Sequence, residues 1–402
     1  MNSDFVIVGG GIGGGVLAAL LARAGKKVVV LEKAVAPPTW TRPEILWLTT
    51  TETLFSLLSR VAWEEDALLR LGGIDTWNGR QTIQLISATT LKRLQVERWA
   101  ADAVRTRERL LGLGTFELYR GNEVIDLLKQ QSRIVGVHTR DIVTGLQREF
   151  LAPWTIGDDG THSLVRQASG LEISTKMFPL DFLCFAFPWP PGFDRSTARV
   201  WFNIHDSRSG ILGLFAVPLP QQRGAGVVLA RPEISDAQTL ARNAWQSFCS
   251  FGPCLRDVVQ GRRFPDDFVR VRRPWGHARR YGIQGAILMG DAAHPVSPAG
   301  GQGANMSIAD ARALAEIAVT NPSQLLGEYE LRRRKANERS LRFTRGAAWL
   351  LGLPAWVLPI SSVISVVRWV GQHPSVLAPI IRYVSTAFQD RKRQSALPEG
   401  KC

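Results

Sequence analysis

Apolar and polar positions alternate along the chain with two different periods. Phe5-Val6-Ile7-Val8 is continuously apolar, the pattern of a strand buried on both faces, and Val28-Val29-Val30-Leu31 repeats it. Small residues follow the first run, with Ala18 and Gly25 at the spacing of a helix that packs closely on a sheet. A third apolar run, Ala286-Ile287-Leu288-Met289, feeds a Pro/Gly loop and a helix expected over about 304–319. Period two marks Arg133 to Thr139 and Leu146 to Leu151 as strands, with turn residues at Thr144-Gly145. They continue a meander begun by 116–120 and 121–125. Thr82 to Leu94 alternates as one or two strands, and Ala100 to Leu113 predicts a helix ending near Gly112 or Gly114.

From about 173 to 262 the composition shifts to aromatics: Phe178, Phe182, Phe185, Phe187, Trp189, Phe193, Trp201, Phe202 and Phe215. Strands are expected at 198–203 and 226–230, and a helix near 237–251. This segment is expected to be a sheet domain that walls a pocket with aromatics, inserted into the α/β unit.

The turns between these elements carry the chemistry. Gly9-Gly10-Gly11-Ile12-Gly13-Gly14 follows the first strand and contains G-x-G-x-x-G at Gly9, Gly11 and Gly14, and Glu32 ends the second strand. In a strand–turn–helix–strand–acid context this is a dinucleotide fingerprint. The glycines let backbone approach a pyrophosphate, and the acid accepts from ribose hydroxyls. A second segment runs Gly157-Asp158-Asp159-Gly160-Thr161-His162-Ser163-Leu164-Val165-Arg166. A third runs Gly290-Asp291-Ala292-Ala293-His294, then Pro298, Gly301, Gly303 and Asn305, with Asp310-Ala311 beyond. There an acid at a strand end faces free N–H groups at a helix start, which makes a polar pocket.

Taken together, in this order and spacing, the three segments resemble those of the group A FAD-dependent monooxygenases. These are the single-component aromatic hydroxylases, which include the ubiquinone-biosynthesis hydroxylases, and the resemblance covers about residues 4–340. One departure is Asp158, which adds a charge beside Asp159 where the family usually has Ala; it bears on the NAD(P)H contact. The resemblance implies an α/β fold: a Rossmann-like, para-hydroxybenzoate hydroxylase-like FAD-binding domain, an inserted β-sheet substrate domain and a C-terminal helical region. The FAD domain is expected to be discontinuous, 1–172 and 262–330, with the substrate domain at 173–261 and the helical region at 331–402.

The cofactor implied is FAD, with NADH or NADPH as co-substrate and O2 as oxidant. In the family, reduced FAD adds O2 at the flavin C4a carbon, and the hydroperoxide passes one oxygen to an aromatic or lipophilic substrate, by hydroxylation or epoxidation. The resemblance places the pyrophosphate on Gly9, Gly11 and Gly14, with Ile12 and Gly13 in the same turn. It places the adenosine ribose on Glu32, adenine on the Val124 backbone, and phosphate or ribityl oxygens on Arg42 and Arg107. Asp159 belongs to the middle segment. Gly290 and Asp291 would meet ribityl hydroxyls, Asp291 being expected to be more buried than Glu32, and Pro298 would line the flavin side of the pocket. Gly301, Gly303 and Asn305 would turn N–H groups to the flavin N1–C2=O edge. His294 suits a loop-shaping role better than that of a base. No catalytic triad and no metal set is needed, and no particular catalytic side chain is identified. A halogenase lacks its W-x-W-x-I-P segment here; a prenyl-chain reductase usually carries Gly where His294 stands. A non-catalytic FAD-binding protein is the remaining alternative.

Charge adds one further expectation. The chain carries +14, and Leu331 to Cys402 holds thirteen Lys/Arg against three Asp/Glu. Arg332, Arg333, Arg334, Lys335, Arg339, Arg342 and Arg345 lead into 22 uncharged residues, Gly346 to Val367, which contain Trp349, Trp356, Pro354 and Pro359. The prolines argue against one straight membrane span. Basic flanks with tryptophans suit peripheral docking of 331–402 on an anionic membrane surface, and packing on the domain is the alternative. Nucleic-acid binding is not expected, because no recognition module accompanies the charge. Four irregularly spaced cysteines, Cys184, Cys249, Cys254 and Cys402, and the absence of a signal-peptide pattern suit a cytoplasmic protein.

Overall fold

The structure is a computed structural model and describes residues 3–39, 41–77, 81–178, 180–202, 210–231, 236–250, 269–272, 274–298, 301–351 and 360–389. Cys254, Cys402, Pro354, Trp356, Pro359 and the basic residues Arg391 to Arg393 lie outside these.

The apolar runs form the centre. Phe5–Val8 pairs in parallel with Val28–Glu32 on one side and Trp154–Gly157 on the other. Ala286–Leu288 pairs with Trp154–Gly157, and Glu117–Arg120 and Gly282–Ile283 close the edges of a six-stranded sheet. Helices Ile12–Arg23 and Gly303–Thr320 pack on the sheet and on each other. Val6, Ile7, Val16, Leu17, Val30, Ile287 and Leu314 are sealed from solvent there. Burial on both faces is why these strands read as unbroken apolar runs. The meander forms a separate antiparallel sheet of Asn122–Gln130, Arg133–Asp141 and Gln147–Leu151.

A seven-stranded sheet lies over the cofactor-type unit. Its order is Val269–Val271, Asp181–Pro188, Arg223–Ala230, Ile211–Leu219, Ala198–Phe202, Ile74–Trp77 and Thr82–Ile86. It therefore recruits two strands from far upstream of 173. Period two splits its residues between two faces. Leu183, Phe185, Phe187, Leu214 and Val228 pack under helix Ala237–Ser250, while Phe182, Cys184, Phe215, Val227 and Leu229 face a cavity. Most of the aromatics are thus sheet core, and two, Phe182 and Phe215, line the pocket.

Local rules were overridden at two places. The helix expected from Ala100 begins at Ala103, because Arg98–Asp102 is a strand between Pro43–Trp47 and Leu68–Arg70. The Asp102 carboxylate sets the boundary by accepting from the Val104 and Arg105 N–H groups, an N-cap. Likewise 82–94 is a strand, Thr82–Ile86, followed by a helix, Ala88–Arg93, capped by Ser87.

The C-terminal region is helical: Leu325–Leu351, Ile360–Gln372 and Pro374–Thr386. The described ends of the uncharged tract lie in helices Leu325–Leu351 and Ile360–Gln372, and among the described residues no helix is long and apolar enough to cross a membrane. Much of the basic lead-in is committed to internal contacts. Arg332 pairs with Glu316, Arg334 with Glu330, and Arg339 donates to the Gln389 carbonyl. Arg333 is almost wholly buried and pairs with Asp310. These four of the seven lead-in cations tie the helix to the domain, Arg334 also through the Ala278 carbonyl.

Candidate active site

Three segments far apart in sequence converge at the ends of the parallel strands. At the first, Gly9 has φ +106°, and a Cβ there would strike the Asp158 carbonyl. The helix that follows starts at Ile12, and its first intrahelical bond runs from Gly15 N–H to the Gly11 carbonyl. The Ile12, Gly13 and Gly14 N–H groups are left over. Gly14 N–H donates to Asp158 Oδ2 at 2.7 Å, so Ile12 and Gly13 have no intrahelical partner. The other helix start repeats this arrangement. Met306 N–H is bonded to the Gln302 carbonyl, and the N–H groups of Gly303, Ala304 and Asn305 precede it.

Both helix starts open into one cavity of about 590 Å³. Gly11, Ile12, Gly13, Arg42, Asp291, Pro298, Gly301 and Gly303 line its polar part. Trp47, Ile74, Ile86, Phe182, Phe215 and Leu229 are among the apolar residues of the remainder. Arg42 bonds Glu44 at 2.7 Å; burial works against its charge, but Glu44 and then Asp291 outweigh it and raise its pKa.

Glu32 and Arg107 stand beside this cavity as a pair. Glu32 Oε2 lies 2.8 Å from Arg107 Nη2 and accepts from Gly10 N–H at 3.0 Å, and Oε1 accepts from Ala34 N–H at 2.7 Å. Arg107 Nε also donates to the Gly10 carbonyl. Contrary to the sequence expectation, Glu32 is the more buried acid and Asp291 is half-exposed to the cavity. Glu32→Ala would remove the acid partner of Arg107 Nη2 and the acceptor of two N–H groups, that of Gly10 in the glycine turn and that of Ala34. It should therefore weaken FAD binding at least as much as Asp291→Ala, by about 1.5–3 kcal/mol. Titration of apoprotein with FAD reads both, and a clearly larger loss for Asp291→Ala would refute this ranking.

Other predicted residues are placed behind the cavity wall. Asp159 accepts from Val165 N–H at 3.1 Å, Ser163 caps Arg166 N–H, and Arg166 reaches the Ala292 and Thr161 carbonyls, both at 2.8 Å. The middle segment is thus a self-capped turn that clamps the Gly290 loop, and burial raises the Asp159 pKa. The Asn305 side chain bonds Trp47 N–H, Thr50 Oγ1 and the Ile45 and Gly301 carbonyls, which pins strand 43–47 beside the loop. Val124 is buried in the meander sheet and does not line the cavity. His294 is buried with Nε2 2.5 Å from Asp310 Oδ2. That oxygen also receives Gly290 N–H, and Asp310 Oδ1 receives Arg333 Nε at 2.6 Å and Asn337 Nδ2 at 3.2 Å. His294 therefore shapes the loop, as expected.

Sequence reasoning missed two cavity residues. Asp158 departs from the family pattern, and its carboxylate sits within the glycine turn. Burial, then Asp291, Asp159 and Asp310, hold its pKa well above the carboxylate range. Arg98 carries no motif signal and lies between the elements expected at 82–94 and 100–113.

Uncommitted N–H groups at two helix starts, a glycine cradle and an acid on the second strand fit a flavin dinucleotide. The fold and site define a two-layered flavoprotein of the para-hydroxybenzoate hydroxylase type. A sequence model of the FAD binding domain family matches residues 2–344, and the chain belongs to that family, among the FAD-dependent monooxygenases. It is 26% identical over 367 residues to rifampicin monooxygenase of Streptomyces venezuelae, covering 87% of this chain and 71% of that protein. It is 24% identical over 371 residues to 3-demethoxyubiquinol 3-hydroxylase of Escherichia coli, covering 83% and 86%. The crystal structure of p-nitrophenol 4-monooxygenase PnpA from Pseudomonas putida matches with a TM-score of 0.74 at 20% identity, over 98% of this chain and all of that one. The anhydrotetracycline hydroxylase OxyS of Streptomyces rimosus matches at 0.71 and 23% identity, over 96% and 76%.

Proposed function

We propose that the protein uses NADH or NADPH and O2, through bound FAD, to place one oxygen on an aromatic or lipophilic small molecule. The observation that carries this is the single cavity in which helix N-termini suited to a flavin dinucleotide adjoin a large apolar wall. Bound FAD would supply the redox chemistry, accepting a hydride and activating O2.

The chain's own residues would do the rest. The Ile12 and Gly13 N–H groups and the positive end of their helix would hold the pyrophosphate. Glu32, fixed by Arg107, would present one carboxylate to the adenosine ribose. Asp291 would hold ribityl hydroxyls. The Gly303, Ala304 and Asn305 N–H groups would stabilise negative charge on the reduced ring. Phe182, Phe215, Val227 and Leu229 would keep water from the reacting face. The names of the relatives support the class of reaction.

The test is oxidation of NADH and of NADPH by the FAD-loaded protein, with oxygen uptake and product mass followed together. Bound aromatic compounds should accelerate consumption and yield products one oxygen atom heavier. Reduction of a double bond without oxygen uptake would favour a reductase of this fold, and chloride-dependent product a halogenase. An absence of any nicotinamide oxidation would favour a non-catalytic flavin protein.

A further inference from the structure

Arg98 starts strand Arg98–Asp102, opposite Trp47 in the register. It is 7% exposed and lines the cavity among Trp47, Ile74, Ile86 and Phe215. Its Nη2 donates to the Gly72 carbonyl at 3.1 Å, whereas its buried Nε has no hydrogen-bond partner. No carboxylate among the described residues pairs with it. Burial alone pushes its pKa down to about 10, with no acid offsetting that effect. The neighbouring arginine at the cavity, Arg42, differs in having Glu44.

A buried guanidinium without a counter-charge is among the more costly arrangements in a protein. It persists where a ligand supplies the missing charge. The planar fork matches a carboxylate, with up to two parallel hydrogen bonds. The walls around it are apolar, so the rest of that ligand must be apolar and flat enough to lie against Trp47 and Phe215.

We propose that Arg98 is the anion-binding residue of the substrate pocket, and that the substrate is an aromatic acid: an apolar ring system bearing one carboxylate or acidic phenolate. The inference rests on the monooxygenase reading only in calling that anion a substrate.

The test uses the FAD-loaded protein without nicotinamide. Two acids, 2-naphthoate and 1-hydroxy-2-naphthoate, are each compared with their methyl esters. Binding is read from perturbation of the flavin absorbance spectrum. The acids should bind about 10- to 100-fold more tightly than the esters. Arg98→Met should erase that preference while leaving ester binding and FAD affinity unchanged, which a merely structural role for Arg98 would not produce. Arg98→Lys should keep part of it. Parity of acid and ester in the wild type, or silence with all four compounds, overturns the proposal, as does a preference that survives in Arg98→Met. If the Arg98-dependent preference holds but no nicotinamide is ever oxidised, the monooxygenase reading fails and the anion site stands. If oxidation proceeds and parity holds, the reverse follows.

Discussion

Asp310→Ala is expected to lower the stability of the FAD-loaded protein by about 3–5 kcal/mol, because it leaves Arg333 a buried, unpaired charge. Asp310 has no exposed surface and Arg333 almost none; their bond is 2.6 Å, and the same carboxylate holds His294, Asn337 and Gly290 N–H. Burial alone would raise the Asp310 pKa, but His294 and Arg333 outweigh it and hold it below the usual carboxylate range. A carboxylate depressed in the fold contributes stability above its unfolded pKa of about 3.9, and loses it as pH falls through the folded value. The difference between wild type and variant should therefore be full at pH 7 and shrink only below about pH 4. Urea denaturation at both pH values measures it. The double variant Asp310→Ala/Arg333→Met should recover part of the loss, since it removes the orphaned charge. A loss under about 1 kcal/mol at pH 7 would show that the pair is not the clamp between the C-terminal helix and the Gly290 loop.

Asp158→Asn is expected to tighten FAD binding and make it independent of pH. The Asp158 carboxylate bonds Gly14 N–H inside the turn that would receive the pyrophosphate, and Gly290 leaves room for it by lacking a Cβ. After burial, the charges that raise its pKa are those of acids: Asp291 from the Gly290 loop, Asp159 beside it and Asp310 from helix Gly303–Thr320. Two like charges 4 Å apart repel by about 4 kcal/mol at an effective dielectric constant of 20. Protonation relieves this, so FAD binding should be accompanied by proton uptake at Asp158. Its pKa is raised in the free protein, and a bound pyrophosphate raises it further. Affinity should then be highest at low pH and fall as pH rises through the interval between those two values. Asn keeps an acceptor for Gly14 N–H without the charge. Roughly tenfold tighter binding than wild type at pH 8 is expected, converging at pH 5, by fluorescence titration of apoprotein. Equal affinity at both pH values would show that Asp158 is a neutral helix cap and nothing more.

Elements whose signal is local were legible. The three parallel strands read correctly because burial on both faces makes every position apolar. The glycine turns were legible because a backbone at φ +106° or crowded against another chain segment excludes side chains. Motif residues could be assigned to a dinucleotide, but not to roles within it. Asp159 and Asn305 build the turns rather than line the cavity, since capping and lining residues are the same polar types. Arg332 and Arg333 read as surface charge because the acids that engage them, Glu316 and Asp310, lie in the preceding helix.

By itself the sequence determined the α/β order, the flavin-type fingerprint and the family, because each rests on short local segments and on their order along the chain. Tertiary structure alone decided three things. It sent Phe182 and Phe215 to the cavity and Phe185 and Phe187 to the sheet core, by the alternation of strands whose facing was not known. It made residues 98–102 a strand, because partners at 43–47 and 68–70 offered a ladder that local helix propensity could not outweigh. It also left Arg98 buried without an acid. Whether a charge is compensated depends on which residues distant in the chain surround it, and no periodicity within one element records that.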